Sequence, residues 1–416
     1  MDEHSQIPNP AAQIAQVLLI LAISVAVIGS ALWMNLDAPY LAFATASAFL
    51  FHLRARPGWR ELLLAILIAS ALAMLRVLFI PGHPRDLAGF VAAMAGLGSF
   101  LVLGIRAARA DKLHRKRLFC LLGPALGLVF FIFSAQRALN LADLLYPKTF
   151  DLYLYAFDGS FGFQPSFAMG RLFEHSAIAN TIGFLAYQTL PLVMALVYVG
   201  YINPKATKPV WYLLELFFLA GLLGWVFYNF VPGTGPVYAF AGLFPDKTLP
   251  YHILRRLLLE RISVDGAYPR NAIPSLHVAW VLLLWWSCRR FSPWIRAAAF
   301  LYLIATIMGT MGTGEHYFID LVVAVPFALL VEAICQSAIP FRKRLLPLLT
   351  GLGLTLAWLT LVRFGTALVL KSRTIPWILA VLSTAAVFWV EHRRLGIEAP
   401  AEPVAPAPQL AAAAAH

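Results

Sequence analysis

Charge is scarce in this chain. Only 12% of its 416 residues are Asp, Glu, Lys or Arg, against about 25% in soluble domains. With 61% hydrophobic residues and a mean hydropathy of +0.76, that scarcity excludes a water-soluble globule, whose interior could not hide so much apolar side chain. Cysteine is scarcer still. Cys120, Cys288 and Cys335 stand far apart in sequence, which excludes a disulfide framework and any zinc-binding spacing. There is no internal repeat. Acid is the rarer charge, 20 Asp+Glu against 32 Lys+Arg, for a net +12. In a soluble protein that excess would raise nucleic acid as a partner. Here the basic loops of a multi-span membrane protein account for it, and no nucleic acid is expected. The opening MDEHSQIPNP is acidic before its apolar run, so the expectation is a retained anchor rather than a cleaved signal peptide.

Apolar runs long enough to cross about 30 Å of hydrocarbon fill the rest. They fall at 15–34, 38–53, 61–80, 87–105, 118–137, 177–200, 209–230, 273–288, 293–312, 317–338, 345–364 and 374–391. The pattern predicts an all-α polytopic membrane protein with about a dozen helices. If every run spans once, Arg54–Arg60, Arg106–Arg117, Lys205–Lys208, Arg289–Arg296, Arg342–Arg344 and Arg393–Arg394 share one side. The positive-inside rule then puts both termini in the cytoplasm. The opposite face carries two long connections, 138–176 and 231–272, and long ordered loops usually carry function. The rings of the first (Phe150, Tyr153, Tyr155, Phe157, Phe161, Phe163) read as an aromatic belt. Leu254, Leu257, Leu258 and Ile262 of the second read as an interfacial amphipathic helix. Residues 396–416 read as a disordered Ala/Pro tail.

Two segments concentrate the chemistry. Arg270-Asn-Ala-Ile-Pro-Ser-Leu-His277 opens one apolar helix, where unpaired N–H groups and the dipole favour an anion. Gly312-Thr-Gly-Glu-His-Tyr-Phe-Ile-Asp320 leads into another. There His316 and Asp320 are four residues apart on one face, so the carboxylate can orient the imidazole. A lone histidine would read as an interfacial residue bonded to water. Two histidines and a costly buried carboxylate at neighbouring helix starts favour a functional site.

PSLH at Pro274–His277 and HYFID at His316–Asp320, one apolar hairpin apart, resemble the motifs of the type-2 phosphatidic acid phosphatase superfamily. Leu276, Tyr317 and the segment Pro232-Gly-Thr-Gly-Pro-Val-Tyr238 look more like its inositol phosphorylceramide synthase branch, the inositolphosphotransferases. The resemblance covers roughly 118–338 and implies a six-helix catalytic core there, with the two long outer loops. It leaves a four-helix region over 1–117 and two added helices over 339–395. It implies that His316 attacks phosphorus and forms a phosphohistidine, that Asp320 orients it, and that His277 protonates the leaving oxygen and then deprotonates the acceptor. Ser275, Arg270, Tyr238 and Tyr317 become the candidate phosphate-binding residues, and neither a metal nor a cofactor is implied. The superfamily's KxxxxxxRP is missing, and Thr310 stands where its third motif carries Arg. Arg270 is the best substitute cation, with Arg137, Arg256 and Arg261 behind it.

The implied partners are a phospholipid or lipid diphosphate donor, an alcohol or lipid acceptor, and the bilayer. Water as acceptor would make the same residues a lipid phosphatase. A transporter that binds headgroups without chemistry is the third reading, with Arg76 and Arg363 as its intramembrane charges. A bacterial inner membrane, with the site facing the periplasm, is the expected location.

Overall fold

The computed structural model describes residues 39–80, 87–202, 211–266 and 268–396. The expected anchor at 15–34 and the tail beyond residue 396 lie outside them. Four helices come first: α1 (Pro39–Arg54), α2 (Trp59–Phe79), α3 (Leu87–Arg109) and α4 (Lys112–Leu145). A two-residue strand, β1 (Lys148–Thr149), leads to α5 (Asp151–Ser160), α6 (Pro165–His175), α7 (Ala177–Gln188), α8 (Leu190–Tyr201) and α9 (Tyr212–Tyr228). Two single turns, α10 (Pro236–Ala239) and α11 (Tyr251–Leu254), precede β2 (Ile262–Ser263). The chain ends with α12 (Leu276–Ser287), α13 (Pro293–Gly312), α14 (Phe318–Cys335), α15 (Phe341–Val369) and α16 (Thr374–Arg394).

The protein is an integral membrane protein, but with fewer spans than its apolar runs suggest. Among the described residues, seven helices are long and apolar enough to cross (α2, α3, Lys112–Ala135 of α4, α13, α14, α15 and α16), or eight if α7 and α8 form one broken span. This corrects the expected dozen. The runs at 38–53, 209–230 and 273–288 form helices of only 16, 17 and 12 residues, below the roughly 20 that a span needs. Apolar content alone does not separate a span from an interior helix. Most of α1 and nearly all of α12 are buried against other helices, and a helix solvated by protein has no bilayer thickness to match.

The break between α7 and α8 bends the chain by 59°. Pro191 stands in the first turn of α8, where its ring and missing N–H prevent one continuous helix. Before the bend, Gly183 of α7 meets Gly309 of α13 backbone to backbone. A Cβ on Gly309 would lie 2.3 Å from the Gly183 carbonyl oxygen. Small residues permit such an approach between membrane helices, and this one fixes the helix that leads into the second motif.

Both long connections fold inward. Phe150, Tyr155, Phe157 and Phe161 are buried and Tyr153 is half-buried, while Phe163 is exposed. This corrects the aromatic belt for most of those rings. Phe161 packs on Trp377 of α16 and Phe318 of α14 at 4.9 and 5.1 Å between ring centroids, and Phe157 lies 6.1 Å from Trp358 of α15. The expected amphipathic helix is absent as well. Only Tyr251–Leu254 is helical, and Ile262 pairs with Thr149 across the antiparallel β1–β2 bridge. Leu254 is buried while Leu258 is 80% exposed, so the leucines share no face. Strand pairing with a segment more than a hundred residues away overrides the local helical spacing. Arg76 lies in the last turn of α2, where it donates to the Ile80 carbonyl at 3.0 Å. It is therefore at a helix end rather than deep in a span.

Candidate active site

Two aspartates on α5 organise the loops that carry the motifs. Asp151 and Asp158 are two helical turns apart, on one face, and both are fully buried. Asp151 accepts from the Thr234 and Gly235 N–H groups, from the Thr234 hydroxyl at 3.1 Å and from the Tyr317 hydroxyl at 2.9 Å. Asp158 accepts from the N–H groups of Phe318 and Ile319 at 2.7 and 2.9 Å. A carboxylate there satisfies the open donors and the dipole of α14. Burial pushes both carboxyls above the usual carboxylate range, and the hydrogen bonds they accept oppose that shift. Gly235 holds φ at +104°, and a Cβ there would lie 2.3 Å from the Glu315 carbonyl oxygen. Only glycine lets the Pro/Gly segment lie this close against the second motif.

His316 is 3% exposed and pinned from three sides. Its N–H donates to the Thr310 carbonyl at 3.2 Å, its carbonyl accepts from the Ser166 hydroxyl of α6 at 2.8 Å, and its Nδ1 lies 2.8 Å from the Ala272 carbonyl oxygen. A carbonyl can only accept, so Nδ1 carries the proton and Nε2 carries the lone pair. Asp320 is farther off, with Oδ2 3.5 Å from Nδ1 and 2.7 Å from the Tyr317 N–H that it accepts. His277 stacks on Tyr187 at 4.0 Å, meets Tyr40 edge-on at 5.5 Å, and faces His316 at 6.1 Å between centroids.

Both histidines line a cavity of about 320 Å³ with Glu315, Tyr238 and a mostly aromatic and aliphatic wall. Among the described residues no Lys or Arg lines it. That volume is at the small end for a ligand pocket, about 300–1,000 Å³. Tyr238 donates to Glu315 at 2.6 Å and stacks on Tyr268 at 4.4 Å. Burial pushes the Glu315 carboxyl up, against the Tyr238 bond and the neighbouring His316, which lower it. Four buried atoms at the site, Tyr40 hydroxyl, Ser275 Oγ, His277 Nε2 and Asp320 Oδ1, have no hydrogen-bond partner among the described residues. Each such atom costs about 1–3 kcal/mol, and their concentration here suits a reactive site better than a packing core.

Of the candidate residues, His277, His316 and Tyr238 line the cavity, and Asp320 stands directly behind His316. Ser275 is fully buried beneath it, its N–H donating to the Asp320 carbonyl at 3.1 Å. Tyr317 turns away to Asp151. Arg270 is 2% exposed and does not line the cavity. Its guanidinium donates to the Tyr146 and Tyr268 carbonyls at 3.0 Å each, joining the two connections. Arg256 and Arg261 do not line the cavity either, Arg261 lying over the Phe150 ring at 5.9 Å. The side chain of Arg137 lies outside the described residues. Among the described residues, no three His, Cys, Asp or Glu side chains converge to hold a metal ion.

Asp151, Asp158 and Glu315 went unassigned at the level of sequence. The signal for the aspartates was two acids one heptad apart in a chain with only 20. Glu315 was masked by its place inside the histidine motif.

Residues 152–334, from the first turn of α5 into α14, match the family described as the PAP2 superfamily. The match names no branch within that superfamily and leaves α1 to α4 outside. Neither a curated protein nor a solved structure matches the chain.

Proposed function

On the premise that residues 152–334 are a PAP2 superfamily domain, in a superfamily made up generally of phosphatases and phosphotransferases, we propose that this membrane protein transfers a phosphoryl or phospho-headgroup from a lipid donor to an alcohol acceptor through His316. The observation that carries the reading is the 2.8 Å bond from His316 Nδ1 to the Ala272 carbonyl. It fixes the tautomer whose Nε2 lone pair can attack, in a cavity shared with a second histidine.

The steps balance with these groups alone. Nε2 attacks phosphorus, a P–N bond forms, and the bond from phosphorus to the donor oxygen breaks. Burial and then the neighbouring His316 push the His277 imidazole well below its ordinary range, so it takes up its proton together with the anionic phosphate and gives that proton to the leaving oxygen. The acceptor hydroxyl then loses its proton to His277 as its oxygen attacks. The P–N bond breaks and its electron pair returns to Nε2. Asp320 stabilises the imidazolium-like charge on His316 during both steps.

Charge favours a singly charged phosphodiester donor over a doubly charged monoester. Among the described residues no cation lines the cavity and Glu315 does, so a second phosphate charge would find no partner among them in a low dielectric. The aromatic wall favours a lipid alcohol over water as acceptor, in keeping with the inositolphosphotransferase-like motifs. Hydrolysis is the alternative outcome with the same residues. The test is product analysis of the purified protein with phosphodiester lipids, phosphatidic acid and lipid diphosphates, with and without lipid alcohols, and with His316→Ala as blank. The expected result is a new phosphorylated acceptor from a phosphodiester donor. Free phosphate alone would make it a phosphatase, preference for phosphatidic acid would sink the diester assignment, and no product from any donor would favour transport.

A further inference from the structure

Two basic segments, Arg54–Arg60 and Arg106–Arg117, are separate in sequence, yet the fold gathers them around one cavity of about 720 Å³. Arg54, Arg56, Arg106, Arg109 and Arg117 line it, against two lining carboxylates, Glu61 and Asp111. Both acids are engaged. Glu61 pairs with Arg106 at 3.0 Å. Asp111 caps α4 by accepting from the Leu113 and His114 N–H groups at 2.9 and 3.0 Å, and it also holds the His114 ring. Arg54 gives one nitrogen to the Ile202 carbonyl, but its Nε and that of Arg117 are buried with no hydrogen-bond partner among the described residues. Arg56 and Arg109 are exposed, with no ion-pair partner among the described residues. Arg56 holds φ at 52°, in the left-handed region that a side chain disfavours.

The same cavity has an apolar wall, Leu64, Val102, Ile105, Leu118 and Leu121. It lies at the far end of the helices that reach the histidine cavity. Tyr40 and Arg54 close opposite ends of α1, about 20 Å apart at the helical rise, and α4 likewise runs from Arg117 to Ile132 and Leu139.

We propose that this cavity binds the phosphate of an anionic lipid, as a site separate from the histidine cavity and independent of its chemistry. Guanidinium forks match phosphate oxygens in pairs. Free guanidiniums beside an apolar wall at helix ends fit a headgroup with the start of its acyl chains, as basic pockets between membrane helices do. A free phosphate would satisfy the arginines and leave the leucines unused.

The test is native mass spectrometry of the full chain in neutral detergent, titrated with phosphatidylglycerol, with phosphatidylcholine and, separately, with inorganic phosphate. Phosphatidylglycerol should be retained about tenfold more tightly than phosphatidylcholine. The double variant Arg56→Gln/Arg109→Gln should lose that preference with its melting temperature unchanged, since neither side chain is buried or ion-paired. Arg56→Lys/Arg109→Lys, which keeps the charge without the fork, should lie between the two. Equal retention of the two lipids, or full preference in the glutamine variant, would overturn the site. Retention of inorganic phosphate as tight as that of phosphatidylglycerol would overturn the lipid as its ligand.

Discussion

At His316 two acceptors compete for one proton. The Ala272 carbonyl lies at 2.8 Å from Nδ1 and Asp320 at 3.5 Å, so the carbonyl sets the tautomer and the aspartate supplies charge. On the proposed mechanism, Asp320→Asn should therefore lose much less than the ~10⁴-fold that follows a wrong tautomer, whereas His316→Ala and His277→Ala should abolish transfer. Single-turnover rates of the three variants check this, and an asparagine variant as inactive as His316→Ala would return the orienting role to Asp320. Glu315 carries the pH prediction. Burial raises its folded pKa above the ordinary carboxylate value, so the native state binds more protons than the unfolded chain as pH rises between the two values. Its contribution to stability is thus lost across that window and stays lost above it. Asp151 and Asp158 shift the same way. Glu315→Gln should flatten, without abolishing, the fall in melting temperature as pH rises above the ordinary carboxylate range, about pH 4. Parallel curves for the two proteins would count against it.

At the scale of elements, α5 and α6 do what the spans alone could not, since they clamp two loops from distant parts of the chain, at Thr234–Gly235 and His316–Ile319. Asp158 caps α14, the helix that carries Asp320, and Ser166 holds the backbone of His316. Asp158→Asn keeps one acceptor oxygen but loses the charge and one of the two cap bonds, a cost of about 1–2 kcal/mol. It should lower the melting temperature and lower kcat further, while the outwardly similar Asp246→Asn, on an exposed turn, should do neither. The contrast with the sequence lies here. PSLH and HYFID were legible because their spacing survives in one dimension, and the membrane location because hydropathy is additive. The inward fold of the two connections was not legible. It depends on pairings such as Thr149 with Ile262 and Phe161 with Trp377, which no local period records. Span number failed for a related reason, because a short apolar run reads the same whether lipid or protein surrounds it. Arg270 shows the limit at a single residue. Its position before the motif suggested phosphate, but only the fold reveals two carbonyls already holding its guanidinium.

Across the whole molecule, two of the helices outside the PAP2 match, α1 and α4, are part of the candidate site. Tyr40 of α1 and Ile132, Ala135 and Leu139 of α4 line the histidine cavity opposite the motifs. On the proposed mechanism the matched residues 152–334 supply the reacting groups, and α1 and α4 close the side that a lipid tail or an acceptor alcohol would meet. A wall built from added helices gives a way to change substrate preference without touching the chemistry, because one methylene in an apolar pocket is worth about 10- to 200-fold in discrimination. Two substitutions test this with opposite signs. Leu139→Ala should enlarge the wall and shift kcat/KM toward bulkier acceptors, and Ala135→Leu should shift it toward smaller ones. The motif histidines stay in place in both, so activity toward the best acceptor of each variant should stay close to that of the wild type. The readout is the ratio of kcat/KM between a long-chain and a short-chain alcohol. Movement in opposite directions assigns acceptor choice to the N-terminal helices, whereas an unchanged ratio in both variants would confine it to the matched domain and leave α1 and α4 a purely structural role.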